Sequence, residues 1–178
     1  MRIRHLRYDD IPEIVGVQQE SARVDGTVVQ GDGELEAWLR DEQVNALANG
    51  FVITDDDDEL STWSQAGTLE GITGEIIAYT VVCLERDEKG YHFICRGTVT
   101  PSQRRRRAGR LLLVGALNRA REQAFEFEFE AEQEGLPLYF EVLLPSGDMG
   151  ATHLAALCEL EITSEPAPQG LQLYSRTL

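Results

Sequence analysis

One short segment, residues 99–110, constrains the fold more than any other part of the chain. A β-rich stretch runs up to Val99, four consecutive arginines follow at positions 104–107, and an apolar stripe then recurs at helical spacing from Leu112 onward. The pattern predicts a strand, a turn and the N-terminus of a helix in direct succession. Such a unit is typical of folds in which helices pack against a sheet.

The turn within this segment is a candidate anion site. Unpaired backbone N–H groups and the positive end of the helix dipole meet at a helix start, and five arginines lie at positions 104–107 and 110. A diphosphate fits such a site, because amides supply directional donors and guanidinium groups neutralise its charge. An isolated basic run is more often a solvated surface, but the position between a strand and a helix favours the anion site.

Composition excludes several functional classes. The 178 residues carry 16 basic and 31 acidic side chains, a formal net charge of −15, which argues against a nucleic-acid binder. No apolar run is long enough to span a bilayer, and without a signal-peptide pattern at the N-terminus we expect a cytoplasmic protein. The widely spaced Cys83, Cys95 and Cys158 argue against a disulfide framework and a zinc site.

Hydrophobic periodicity and turn signals predict one domain over residues 1–178, because no linker or internal repeat divides the chain. The predicted order is β-α-α-β-β-β-α-β-α-β, a mixed sheet with helices on both faces. Asp10 is the expected N-cap of the first helix, with Pro12 in its first turn and Glu13 completing a capping box. The predicted strands cover residues 1–7, 50–54, 74–83, 92–99, 138–144 and 171–177, and the predicted helices cover 10–22, 34–42, 108–123 and 148–159.

The segment resembles the coenzyme A loop of the GNAT N-acetyltransferase superfamily, V-x-P-x-x-(Q/R)-x-x-G-x-(G/A). Val99, Pro101, Arg104 and Gly109 match that pattern, and Arg107 stands where the family has its middle glycine. The resemblance implies an α/β (α+β) fold: a mixed, mostly antiparallel sheet, flanked by helices, whose fourth and fifth strands splay apart around the acyl thioester.

The resemblance also implies acetyl-CoA as co-substrate, without a metal, and direct acyl transfer to an amine through an oxyanion that a backbone N–H stabilises. Backbone groups of the fourth strand would bind the pantetheine arm, and the amides of the arginine turn would surround the pyrophosphate. The residues expected to bind acetyl-CoA are Gly97, Thr98, Val99, Arg104, Arg105, Arg106, Arg107, Ala108, Gly109 and Arg110.

The general acid and base are not identified. The family commonly places a tyrosine on the helix after the fifth strand, and no tyrosine occurs from 145 to 173. His153 is the nearest titratable alternative, although a surface or capping histidine is the commoner interpretation. Glu141 is either a base or an outward-facing structural residue. Cys158 is either a nucleophile or a small buried hydrophobic residue.

Two segments exceed the length expected for such a domain. Residues 125–134 alternate Phe and Glu; their glutamates and neighbours favour a continued helix over a strand, and the three phenylalanines fit either a homodimer contact or packing on their own domain. The second insert covers residues 55–73. Its acidic run at 55–59 lacks the ligand spacing of a calcium loop, which favours a solvated loop over a metal site.

Three functions fit these patterns. The leading hypothesis is an N-acetyltransferase whose acceptor is a primary amine of a small molecule or peptide, cationic or neutral because the glycine-rich loop at 25–33 would place acidic residues near it. A second is a degenerate module that binds coenzyme A or a protein partner without turnover. A third is a partner-binding patch formed by Arg104–107 without coenzyme A.

Overall fold

The computed structural model describes residues 1–27, 32–55 and 74–178. Most of the predicted insert at 55–73, and residues 28–31 of the glycine-rich loop, therefore lie outside the described residues.

The described residues contain seven strands of one mixed sheet: β1 (Arg2–His5), β2 (Gly50–Asp55), β3 (Glu75–Arg86), β4 (Tyr91–Val99), β5 (Leu138–Pro145), β6 (Glu161–Ile162) and β7 (Leu171–Thr177). Their order across the sheet is β1-β2-β3-β4-β5-β7-β6. Every neighbouring pair is antiparallel except β4 and β5, which are parallel. This arrangement confirms the predicted mixed, mostly antiparallel sheet.

Helices cover both faces of the sheet, because strand side chains alternate between the two sides. The helices are α1 (Ile11–Asp25), α2 (Asp32–Leu39), α3 (Ala46–Asn49), α4 (Ala108–Glu134) and α5 (Met149–Leu157), with 3₁₀ turns at Tyr8–Asp10 and Pro101–Gln103. Tyr79 and Val81 of β3 pack with α1 and α2 on one face, whereas Val82 packs with α4 and α5 on the other. The four-residue α3 and the two-residue β6 were not predicted.

Asp10 is the N-cap residue of α1 and Pro12 lies in its first turn, as predicted, but the predicted capping box does not form. Asp10 uses its carboxylate on the preceding chain: it accepts a hydrogen bond from the Arg7 N–H at 2.7 Å and binds the guanidinium of Arg4 at 2.6 and 2.7 Å. Glu13 instead accepts the N–H of Ile76 at 3.1 Å, and so ties α1 to β3. The bidentate ion pair with Arg4 and the bond from the Arg7 N–H occupy both carboxylate oxygens of Asp10, so its side chain does not cap α1.

The helical interpretation of residues 125–134 is confirmed, since α4 continues without a break to Glu134. Phe127 packs on its own domain, with ring centroids 5.7 Å from Tyr91 and 6.5 Å from Phe93. Phe125 and Phe129 face solvent and are 79% and 71% exposed. Packing on its own domain is therefore confirmed for Phe127, and the homodimer contact stays a prediction for Phe125 and Phe129.

Candidate active site

The fourth and fifth strands part half-way along their length. They pair in parallel from Tyr91 with Leu138 to Cys95 with Val142, and not beyond. β4 continues against β3 to Val99, while β5 continues against β7 to Pro145. The splay implied by the family resemblance is present, and it opens a gap in the middle of the sheet.

Backbone hydrogen-bonding groups line both edges of this gap. The Thr100 N–H bonds to the Ile77 carbonyl at 2.8 Å, so alternate residues of β4 face β3 and the backbone of Gly97 faces the gap, as does the Val99 N–H. On the other edge the Leu178 N–H bonds to the Leu138 carbonyl at 2.9 Å, and the same alternation turns the backbone of Leu143 toward the gap.

A cavity of about 360 Å³ fills the gap and extends to the turn before α4. On the face of the sheet covered by α1, the cavity is lined by Tyr79 and Asp25. On the face covered by α4 and α5, it is lined by Leu112, Leu113 and Leu154. The cavity therefore passes through the sheet from one face to the other. Its walls are apolar in the middle, and charged side chains gather at the mouth beside the start of α4.

The turn before α4 presents amides to this mouth. Arg105 and Arg107 have φ angles of +66° and +74°, in the left-handed region, and backbone of alternating hand can direct successive N–H groups toward an anion. The first hydrogen bond of α4 runs from the Leu111 N–H to the Arg107 carbonyl, at 3.1 Å. The N–H groups of the three preceding residues, Ala108, Gly109 and Arg110, therefore have no acceptor within the helix.

Arg104 is held by the protein itself. Its terminal nitrogens lie 2.6 and 2.7 Å from the two carboxylate oxygens of Asp25, and its Nε donates to the Val99 carbonyl at 3.1 Å. The Ser21 hydroxyl donates to the same carbonyl at 3.1 Å. Arg104 therefore fixes the turn against the C-terminus of α1, and this satisfied geometry fits a positioning role better than contact with a ligand.

Arg105 bridges the mouth to α5. Its guanidinium lies 2.8 Å from Asp148 and covers Gly150, where a Cβ would collide with it. Asp148 caps α5 by accepting the Gly150 N–H at 2.6 Å. The N–H groups of Gly150 and Ala151, followed by the charge of Arg105, lower the pKa of the Asp148 carboxyl below its usual range.

The structure brings together eight of the ten predicted acetyl-CoA residues around the cavity. The two exceptions are Arg106, whose guanidinium turns to Gln103 at 2.5 Å and lies 3.8 Å from Asp55, and Ala108, which is 1% exposed in the core between β2 and α4. The residues around the cavity are Gly97, Thr98, Val99, Arg104, Arg105, Arg107, Gly109 and Arg110.

The proton-transfer candidates separate clearly. His153 lines the cavity from the exposed side of α5. Cys158 is 5% exposed in the core, where burial raises the pKa of its thiol. Glu141 lies away from the cavity lining, 8% exposed, with its Oε1 3.2 Å from His92 Nδ1. The outward-facing interpretation of Glu141 is therefore wrong, because His92 covers and pairs with it.

Several polar side chains at the cavity were missed from the sequence, among them Tyr79, Thr80 and Cys95 of the sheet. The Tyr79 hydroxyl donates to Gln18 at 2.7 Å, and burial raises its pKa. The Cys95 thiol lies 3.1 Å from the Thr80 hydroxyl, and burial raises its pKa to about 12. To predict that these side chains face the cavity, one must know which residues of β3 and β4 lie beside the point where β4 and β5 part. That depends on the register of the strands.

Within the described residues no cluster of three or more His, Cys, Asp or Glu side chains could hold a metal ion. The same part of the chain contains no helix with the length and apolar character needed to cross a membrane.

No protein-family model matches the chain, and no curated protein matches it. Solved structures do. A GCN5-related N-acetyltransferase from Kribbella flavida is 15% identical with a TM-score of 0.65, over 99% of this chain and 97% of that one. A GNAT superfamily phosphinothricin acetyltransferase from Sinorhizobium meliloti, in complex with AcCoA, is 12% identical with a TM-score of 0.64, over 99% and 88%.

A ribosomal-protein-alanine N-acetyltransferase from Brucella melitensis is 15% identical with a TM-score of 0.62, and the alignment covers 100% of both chains. At sequence identities this low, the TM-scores show similarity of fold alone. The similarity extends over 99% or more of this chain in each case. The chain therefore has the fold of the GNAT N-acetyltransferases.

Proposed function

We propose that the chain is an N-acyltransferase that uses acetyl-CoA as co-substrate and transfers its acetyl group directly to a primary amine. The observation that carries the proposal is the unpaired backbone edge of Gly97, Val99 and Leu143, which leads into the amide-rich turn at 105–110. An extended ligand with amide groups at one end and a diphosphate at the other matches both features.

The gap fits the pantetheine arm of acetyl-CoA. Its two amides can complete the ladder that β4 and β5 leave open, by bonding to the backbone of Gly97 and the Val99 N–H. A side chain at Gly97 would collide with the Tyr79 carbonyl, so the close approach of β3 and β4 requires glycine at this position. Leu112 and Leu113 supply apolar contact along the arm.

The mouth fits the diphosphate. The amides of Ala108, Gly109 and Arg110 start α4, whose dipole favours an anion at this end. Arg107 and Arg110 line the same mouth and add positive charge. This local charge contrasts with the net charge of −15, so the anion is attracted to one place on an otherwise acidic protein.

Bound acetyl-CoA would supply an activated thioester, and the protein's task is then to polarise its carbonyl and manage protons. A backbone N–H at the open edge of β4 can donate to the developing oxyanion. Tyr79 and Cys95 stay protonated because burial raises the pKa of each. His153 lines the cavity and belongs to the side-chain type that most often transfers protons near neutral pH, so it is the first residue to test as a proton carrier.

Titration calorimetry with acetyl-CoA tests binding. We expect the wild type to bind in the micromolar range, Gly109→Trp to lose binding because the indole fills the mouth, and Gly16→Trp to bind normally. Gly16 is the matched control, since it is exposed on α1 and a Cβ there meets nothing within 4 Å. No detectable heat from the wild type at high protein concentration would overturn the proposal.

A release assay for the free thiol, with a panel of primary amines, then tests transfer. The absence of a tyrosine from α5 favours a second candidate, a module that binds acetyl-CoA without turnover. Binding combined with no thiol release above the amine-free background for any amine would select that candidate.

A further inference from the structure

The outer side of α4 carries an apolar stripe that the domain does not use. Leu111, Val114, Phe125 and Phe129 are 44%, 41%, 79% and 71% exposed. Successive helical residues advance about 100°, so these four positions fall within a sector of about 60°. The core-facing side chains of α4, such as Ala116 and Ala120, lie on the opposite side.

Charge along α4 is divided into two halves. Residues 108–121 contain three arginines and no acidic residue, and residues 122–134 contain six glutamates and no basic residue. This order runs against the helix macrodipole, which favours acidic residues at the N-terminus and basic residues at the C-terminus. Glu130 and Glu134 bind Arg86, whereas Glu126, Glu128 and Glu132 form no ion pair with a described residue.

We infer that the stripe on α4 is the contact surface of a homodimer in which the α4 helices of two copies pack antiparallel. Antiparallel packing places the arginine half of each helix beside the glutamate half of the other, and it also opposes the two macrodipoles. A parallel pair would place like charges side by side along the whole contact. The charge pattern therefore selects both the partner, a second copy, and the direction of packing.

The pairing leaves the cavity open. Gly109, Leu112 and Leu113 line the cavity from the inward side of α4, whereas the stripe lies on the outward side. The stripe from Leu111 to Phe129 extends over about 27 Å, and an interface of one helix per copy is at the small end of stable contacts. We therefore expect a dissociation constant on the order of 10–100 µM.

Sedimentation equilibrium over a range of protein concentrations tests the surface. The wild type is expected to form dimers, and Phe125→Ser with Phe129→Ser to weaken association at least tenfold. Val24→Ser is the matched control, because Val24 is 64% exposed on α1, away from the stripe. Circular dichroism verifies that all variants fold. A wild type that stays monomeric, or a double variant that associates as strongly as the wild type, would overturn the inference.

Cross-linking tests the direction. The native cysteines are buried, so a short thiol cross-linker reports introduced cysteines. Position 118 lies near the middle of the stripe, so the Asn118→Cys variant is expected to give covalent dimers. Position 132 lies near one end, and the corresponding ends of two antiparallel helices are far apart, so the Glu132→Cys variant is expected to give none. Cross-linking at position 132 but not at 118 would overturn antiparallel packing.

Discussion

Asp25 binds both terminal nitrogens of Arg104 across 79 positions of the sequence, at 2.6 and 2.7 Å. The two residues belong to the end of α1 and to the turn before α4, so the pair joins the helix that leads into the glycine-rich loop to the proposed diphosphate site. This ion pair therefore helps to set the position of the turn, together with the bonds of Arg104 to the Val99 carbonyl and of Arg105 to Asp148.

Removing this pair should loosen the turn. We expect Asp25→Ala to raise the acetyl-CoA dissociation constant about tenfold and to lower the free energy of unfolding by about 1–3 kcal/mol, because it leaves a partly buried guanidinium without its carboxylate. Calorimetry and urea unfolding measure the two effects. Asp9→Ala, at an exposed position near the start of α1, should change neither; equal affinity of Asp25→Ala and wild type would contradict the positioning role.

Arg107 occupies a left-handed conformation that suits glycine, with φ at +74°. Arg107→Gly should therefore leave the free energy of unfolding unchanged or raise it by up to about 1 kcal/mol, because relief of strain offsets the entropy of the added glycine. Arg106→Gly is the control: Arg106 has no positive φ, so that substitution should destabilise. Urea unfolding of both variants decides the matter, and the reverse order of stabilities would show that the turn is unstrained.

Gly97 and Gly109 should respond oppositely to a methyl group. At Gly97 a Cβ collides with the Tyr79 carbonyl and lies 2.7 Å from the Thr80 Cα, so we expect Gly97→Ala to lower the free energy of unfolding by about 1–3 kcal/mol. At Gly109 a Cβ lies 3.5 Å from the Leu154 Cδ2, an ordinary contact. Gly109→Ala should be neutral or gain up to about 1 kcal/mol from helix propensity. Thermal unfolding of the pair is the measurement.

His92 should make stability depend on pH near neutrality. Burial lowers its pKa, but the hydrogen bonds and charges of Glu141 and Asp87 outweigh burial and raise the pKa above the ordinary 6.5. A raised pKa in the folded state stabilises the protein below pH 6.5, and this contribution is lost as the pH rises through the folded value.

Urea unfolding between pH 6 and pH 8 measures this effect. The free energy of unfolding of the wild type should fall with rising pH more steeply than that of His92→Gln, which cannot be protonated. Parallel curves for the two proteins would show that the imidazole carries no charge between its two carboxylates.

Most of the sheet and the location of the site could be predicted from local patterns. The strand before Val99, the turn and the start of α4 lie within a dozen residues, and turn chemistry and periodicity are local properties. Asp25 could not be identified as the partner of Arg104, because that pairing depends on how α1 packs across the sheet. Two-residue β6 and four-residue α3 carry too little periodicity to be seen.

The role of Glu141 shows a similar limit. Its position on β5 fixes which side of the sheet it faces, but the residue that covers it, His92, comes from the neighbouring parallel strand. The alternation of residues 125–134 was ambiguous because Phe and Glu every second residue satisfy a strand period, while the domain accepts only Phe127 into its core. Tertiary packing settled what the local pattern left open.

The early parting of β4 and β5 has a consequence for how the protein persists in a cell. Five residue pairs, from Tyr91–Leu138 to Cys95–Val142, join β4 to β5 and so connect the two halves of the sheet. This is the shortest strand pairing in the centre of the sheet. A molecule that bonds to the free backbone groups of both strands connects them where they part. Its binding free energy adds to the free energy of unfolding of the domain. We expect the β5 amides to exchange with solvent more slowly when that molecule is bound, and the half-life of the protein to increase with its supply.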